Sequence, residues 1–236
     1  MQPYFLPYVG YFQLLRAADV FVLYGEAQYI KRGYVNRNRM LADGAPRWFT
    51  VPVKSGPTSD PIDERPVADE RDFARWRSKW IRILEAYYRQ APHYDEVLTF
   101  CRGLVAERPT SIGELASRSV RAVVDYLGLD VAVFPSRDLD YDRDDDAEEK
   151  VIGMCTNLGA RTYLNPPGGR DLYSAGAFAE RNLRLAFLRP ELRPYPQVGR
   201  TSSEFVPSLS ILDAMMHCDR PTLTSLLDAH TIDYAD

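Results

Sequence analysis

Residues 131–188 read VAVFPSRDLDYDRDDDAEEKVIGMCTNLGARTYLNPPGGRDLYSAGAFAERNLRLAFL. Three short apolar runs, VAVF (131–134), RTYLN (161–165) and LRLAFL (183–188), alternate with helical stretches at about 144–158 and 171–180. This β-α-β-α-β order with short connections predicts parallel strands joined by right-handed crossovers. Upstream, VFVLY (20–24) reads as a buried strand after a short helix at 10–18, and RWFTVPV (47–53) is a further strand candidate. Pro3 and Pro7 keep the aromatic N-terminal stretch out of a helix. Residues 54–71 are polar and carry several prolines, as a loop does. Phe73, Trp76, Trp80, Ile83 or Leu84, and Tyr87 then recur at helical spacing before Pro92. Ser111 to Glu114 forms a capping box, and Gly128 stands where a helix C-terminal glycine belongs. Two short helices are expected near 208–217 and 221–229. The expected fold class is α/β: a mostly parallel sheet with flanking helices and a helical insertion in the middle of the chain. Residues 1–236 form one domain in this reading, with a helical sub-lobe at about 72–128. A buried parallel sheet normally has a strand before a loop such as QPYFLP, so the reading expects coding sequence upstream of Met1.

Composition bounds the function. The chain has 236 residues, 45% hydrophobic and 26% charged, a globular profile. Its three cysteines, Cys101, Cys155 and Cys218, are not in CxxC spacing, which supports neither a disulfide framework nor a zinc knuckle. No stretch approaches the roughly 18 apolar residues of a membrane helix, and MQPYFLPYVGYF lacks signal-peptide features. A cytoplasmic protein without membrane insertion is expected. The net charge of −4 argues against a DNA binder driven by bulk charge.

Five segments carry residue types suited to chemistry. Gln28 to Arg39 holds four cations (Lys31, Arg32, Arg37, Arg39) and two asparagines (Asn36, Asn38) after a strand. Arginine forks fit phosphate or carboxylate, and asparagines add directional hydrogen bonds. The alternative is a solvated hairpin with charged edges. Asn165-Pro-Pro-Gly168-Gly169-Arg170-Asp171 joins a strand end to an expected helix start, where glycines admit a ligand to the backbone. An ordinary turn capped by Asp171 is the alternative. Cys155 falls on the apolar face of its helix with Val151 and Leu158 and reads as buried and inert. The acidic run 138–149 imitates a calcium loop, but Arg143 stands where that loop needs glycine, so a helix start is preferred. Asp213, amid apolar residues in PSLSILDAMM (207–216), is either a structural anchor or a general base.

In order along the chain, QPYFLPYVGYFQLL (2–15), VFVLYGEAQYIKRGYVNRNRM (20–40), CTNLGARTYLNPPGGRDLY (155–173), YPQ (195–197) and FVPSLSILDAMM (205–216) resemble the WbqC-like family. Its members recur in bacterial O-antigen and surface-polysaccharide gene clusters. The resemblance implies a transferase that modifies a sugar, with glycine or aminoacyl transfer to an amino sugar as the suggested reaction. The implied partners are a nucleotide-sugar or carrier-linked sugar and an acyl donor, with no cofactor and no metal. Tyr8, Tyr173 and Asp213 are the expected catalytic residues, orienting or deprotonating the acceptor. Gln2, Gln28, Lys31, Asn36, Arg37, Asn38, Arg39, Asn165, Gly168 and Gly169 are the expected substrate-binding set, with backbone N–H groups of 165–169 polarising an acyl carbonyl. One departure is Gly25-Glu26, where an acidic pair is common in the family. The alternatives are a nucleotidyltransferase-like enzyme and a non-catalytic sugar-binding or assembly protein whose aromatic N-terminus stacks on sugars.

Overall fold

The computed structural model describes residues 1–200 and 204–235. Strand β1 (Val20–Leu23) pairs in parallel with β4 (Ala132–Pro135), with Val20 opposite Ala132 and Leu23 opposite Pro135. Between them in sequence lies an antiparallel hairpin, β2 (Arg37–Ala42) and β3 (Ala45–Thr50). Its turn residues Asp43 and Gly44 have φ of +51° and +66°, which a two-residue type I′ turn demands. A third sheet has β5 (Thr162–Asn165) parallel to β6 (Arg184–Pro190), and β6 antiparallel to β7 (His230–Tyr234).

The fold is therefore α/β in composition, but the expected mostly parallel sheet is corrected to small sheets of mixed direction. The chemistry of the connections explains this. A two-residue turn allows only antiparallel pairing of β2 and β3. On the β1 side, backbone bonds run instead to Met1, whose amine donates to Val22 O (2.9 Å) and whose carbonyl accepts from Tyr24 N (2.7 Å). Strand β1 thus pairs with β4, not with β5.

Helix α1 (Val9–Arg16) follows the proline-rich loop. The middle of the chain is helical: α2 (Glu70–Tyr88), α3 (Tyr94–Leu104) and α4 (Ile112–Leu127). Phe73, Trp80, Leu84 and Tyr88 form the buried stripe of α2, and Trp76 stacks on Trp80 at 5.5 Å. At the start of α4, Ser111 Oγ accepts from Glu114 N. At its end Gly128 adopts φ +63°, closing the helix in the left-handed conformation. Later come α5 (Ala147–Asn157), α6 (Ala175–Glu180), α7 (Ile211–His217) and α8 (Arg220–Leu227). The expected helix at 171–180 is shorter; residues 167–172 form a 3-10 helix instead.

One large apolar cluster joins Phe5 and Phe12 near the N-terminus to Trp80, Val120, Met215 and Leu227. The middle helices therefore share a core with α1, α7 and α8. A smaller cluster under α5 and α6 contains Cys155, Phe178 and Phe187.

Candidate functional site

Strand alternation decides what the hairpin shows to solvent. On β3, Phe49 turns inward, and Trp48 turns outward and is 45% exposed. On β2, Asn38 and Met40 turn inward, which leaves Arg37 and Arg39 on the face of Trp48. Trp48 stands directly opposite Arg39 and diagonal to Arg37. The Arg37 guanidinium lies 4.1 Å from the Trp48 ring centre, and that of Arg39 lies 5.9 Å away. Tyr34 packs on Trp48 (5.7 Å), Tyr4 on Tyr34 (6.2 Å) and Tyr11 on Tyr4 (5.8 Å). A row of rings thus runs from the N-terminal loop onto the hairpin, edged by two guanidinium groups.

The buried polar residues beneath this face hold its shape. Asn38 donates to Leu6 O (2.7 Å) and accepts from Arg39 N (2.8 Å). Ser210 Oγ also donates to Leu6 O, and Leu6 N donates to Ser119 Oγ. Leu6 has φ +47°, so the loop between its two prolines is fixed by side chains distant in sequence. Asn36 donates to Val51 O (2.8 Å). Asn36 and Asn38 are 5% and 3% exposed, so both support the site from below and their expected contact with substrate is corrected. Tyr8 bridges to Ser210 and lies near Tyr34. Burial and then the Tyr34 hydroxyl raise its phenol above the usual value, which makes it a donor, not a base, near neutral pH.

Arg37 gives Nε to Gly33 O (3.0 Å) and an Nη to Arg32 O, and its remaining donors bond to no described residue. Arg39 gives one Nη to Ser208 O (3.2 Å), and its buried Nε has no partner among the described residues. A buried unpartnered guanidinium donor is uncommon and suits an added acceptor. Lys31 is exposed beside this segment. Gln28 donates to Thr58 O, holding the loop after β3, and Gln2 accepts from the Tyr11 hydroxyl through its backbone oxygen.

Asn165, Gly168, Gly169 and Tyr173 gather at the end of β5, in a different sheet from Arg37. Gly169 N donates to Pro166 O (3.1 Å), so its expected role as a carbonyl-polarising donor is corrected: that N–H is already used. The glycine is needed for space, because a Cβ there would lie 2.1 Å from the Asn165 amide nitrogen. Around Gly168 the space is open. Tyr173 packs edge-on against Tyr163 (5.4 Å) and lies near Tyr24, just past the end of β1.

Asp213 is wholly buried. It accepts from the Tyr88 hydroxyl (2.7 Å), the Tyr195 hydroxyl (2.8 Å) and Gln197 Nε2 (2.9 Å). The expected general base is therefore corrected to a structural anchor joining α2, α7 and residues 195–197. His217, one turn on, has Nδ1 2.7 Å from Asp213 O, and its Nε2 accepts from Val198 N (3.0 Å). Above it a cavity of about 470 Å³ is bounded by the hairpin turn at 43–44, the end of α2 and Val198–Gly199. Cys155 lies in the small core, its thiol pushed up to about 11 by burial, which disfavours a thiolate. In the acidic run, Asp146 caps α5 and Asp142 accepts from Asp144 N. No group of three or more His, Cys, Asp or Glu side chains converges as for a metal among the described residues.

Sequence reading missed Trp48 and Tyr34; in WFTV (48–51) both Trp48 and Phe49 are apolar, so only the burial of alternate residues in the folded strand shows which one faces out. It also missed Glu26, Asp63 and Tyr141, which lie far apart in sequence and meet only where β1 and β4 end.

The family model described as the WbqC-like protein family matches residues 2–224. The uncharacterized protein Rv1507c of Mycobacterium tuberculosis (strain ATCC 25618 / H37Rv) is 30% identical over 220 residues, covering 92% of this chain and 91% of that protein. No solved structure matches. No helix among the described residues is long and apolar enough to cross a membrane.

Proposed function

We propose that this chain, which belongs to the WbqC-like protein family, is a cytoplasmic transferase that modifies a sugar in surface-polysaccharide (O-antigen) or related metabolite biosynthesis. The reaction class in this reading is glycine or other aminoacyl transfer to an amino sugar. The observation that carries it is the ring-and-guanidinium face made by Tyr4, Tyr34, Trp48, Arg37 and Arg39. Flat rings receive the apolar face of a sugar or base. Guanidinium forks beside them receive phosphate oxygens. The donors of Arg37 that meet no described residue, and the part-exposed guanidinium of Arg39, are the groups that a diphosphate would complete, with Lys31 at the rim. Tyr8 orients the ligand as a donor.

Calorimetry with a panel of nucleotide-sugars tests this reading. Arg37→Ala removes charge-assisted bonds and weakens binding by about 1.5–3 kcal/mol. Trp48→Ala weakens it through lost stacking, by about 1–3 kcal/mol if a base occupies the ring. Equal affinity in the wild type and both variants removes this face from the site. Binding without turnover in the presence of any acyl donor favours a non-catalytic sugar-binding protein. A requirement for a divalent metal favours nucleotidyl transfer.

A further inference from the structure

The turn that leads into β2 holds an aliphatic side chain and two cations out to solvent. Gly33 N donates to Ile30 O (3.1 Å), which closes a tight turn over residues 30–33. Its base is fixed, because Tyr29 N donates to Asp60 O (2.9 Å) and Gln28 bridges to Pro61. Its exit is fixed as well, because Arg37 reaches back to Gly33 O and Arg32 O. At the tip of this held turn Ile30 is 60% exposed, and Lys31 and Arg32 are exposed beside it.

Arg32 has φ +63°, a left-handed backbone that a residue with a Cβ adopts only under strain. Gly33 stands next in sequence and could carry that conformation freely, yet the strained position holds a long cationic side chain. Charge sets the segment apart too. From Gln28 to Ala42 there are four cations, Lys31, Arg32, Arg37 and Arg39, and no acid, in a chain whose net charge is −4. Among the described residues Arg37 and Arg39 bond to backbone oxygens, and no carboxylate pairs with any of the four. The exposed rings of Tyr34 and Trp48 continue the same surface, since Arg37 links the turn to the Trp48 ring (4.1 Å) and Tyr34 packs on Trp48 (5.7 Å).

An aliphatic tip, two amphipathic rings and four cations without carboxylate partners match the boundary of an anionic lipid bilayer. Tryptophan and tyrosine settle at headgroup level, and anionic lipids attract lysine and arginine near the surface. We propose that the turn 30–34 and the Trp48 edge of the hairpin dock this protein on an anionic membrane surface, lying on the bilayer and not crossing it. The acidic remainder of the chain is repelled by the same surface, so the charge asymmetry turns this face toward the lipid. Two other occupants fit less well. A single-stranded nucleic acid would use the rings and the cations, but it has no use for an aliphatic side chain at the tip. A second copy seated face to face would bring the same four cations together.

Docking in this orientation deepens the transferase reading, on which its purpose rests. Arg37 and Arg39 then open beside the lipid headgroups, so the phosphates they receive belong to a sugar diphosphate carried on a membrane lipid. Ile30 and Arg32 take no part in holding those phosphates through their side chains. They serve the membrane alone, which lets the two activities be separated.

Co-sedimentation of the full chain with vesicles tests the proposal. Vesicles of phosphatidylcholine containing phosphatidylglycerol bind the wild type, vesicles of phosphatidylcholine alone bind it far less, and added salt weakens the binding. Arg32→Gly lowers vesicle affinity about fivefold, the share of one cation near the surface. This variant also relieves the left-handed strain, so it melts at or above the wild type and its loss of binding is not a loss of folding. Ile30→Ser weakens vesicle binding as well, and it gives a second arm. Both variants keep the nucleotide-sugar affinity of the wild type. No vesicle binding, equal binding with and without phosphatidylglycerol, or undiminished binding by both variants each overturns the proposal, as does a single-stranded oligonucleotide bound where vesicles are not. Nucleotide-sugar binding that depends on Arg37 would then leave the transferase reading standing. Vesicle binding that depends on Ile30 and Arg32, with no affinity for any nucleotide-sugar, would keep the membrane face and remove that reading.

Discussion

Asp213 has no exposed surface, and three donors from separate parts of the chain converge on its carboxylate. Asp213→Ala would leave two phenols and an amide buried without their acceptor. Each such loss costs about 1–3 kcal/mol, so the variant melts well below the wild type, while any folded fraction keeps its ligand affinity. A stable variant with no activity would instead restore a catalytic role. Glu26 and Asp63 give opposite pH behaviour. The folded Glu26 carboxyl lies below its ordinary value, so its contribution to stability is present above that value and fades as pH falls through the folded one. Asp63 lies above its ordinary value, so its ionised form costs stability near neutral pH, and the cost is relieved as pH falls through the folded value. Melting curves at pH 7 therefore place Glu26→Gln below the wild type and Asp63→Asn level with it or above. The reverse order would contradict the environments described for both carboxyls.

At the scale of elements, the end of β5 offers a sharp test. Gly169 makes room for the Asn165 amide, which is 7% exposed. Gly169→Ala forces the two together and destabilises by about 1–3 kcal/mol, the usual cost of overpacking. A double variant with Asn165→Ala recovers most of that loss, because residues in contact do not act additively. Additive losses would mean that the glycine serves another purpose. The same element shows what a sequence can reveal. RTYLN is apolar enough to mark β5, but PPGGRD carries no periodicity that separates a 3-10 turn from the first turn of a helix. Helix α4 was legible to the residue at its caps, because Ser111 and Gly128 act through local backbone geometry. Strand β7 was not: HTIDY has little apolar content and is half exposed, and its pairing with β6 comes from distant sequence. Strand β2 was hidden for a related reason. Its outward arginines suit an anion site or a solvated hairpin with charged edges equally, and only the inward side chains of Asn38 and Met40 mark the strand.

At the scale of the whole molecule, residues distant in sequence are brought together by strand pairing. The cations between Lys31 and Arg39 were legible as a segment, since their density is a local property. Their partner Trp48 became evident only through hairpin register, and the Glu26–Asp63 pair only through the backbone bonds that join residues 25–27 to 62–63. Arg37 on the hairpin and Gly169 past the end of β5 belong to separate small sheets, so no common sheet edge links them. The account therefore predicts that a ligand's phosphates lie on the hairpin face, beside Arg37 and Arg39. The most direct test is a crystal structure of the protein with a bound nucleotide-sugar. The account predicts the diphosphate against Arg37 and Arg39, with a base or sugar ring on Trp48 or Tyr34. A ligand seated instead in the cavity above His217, with the Trp48 face empty, would contradict it.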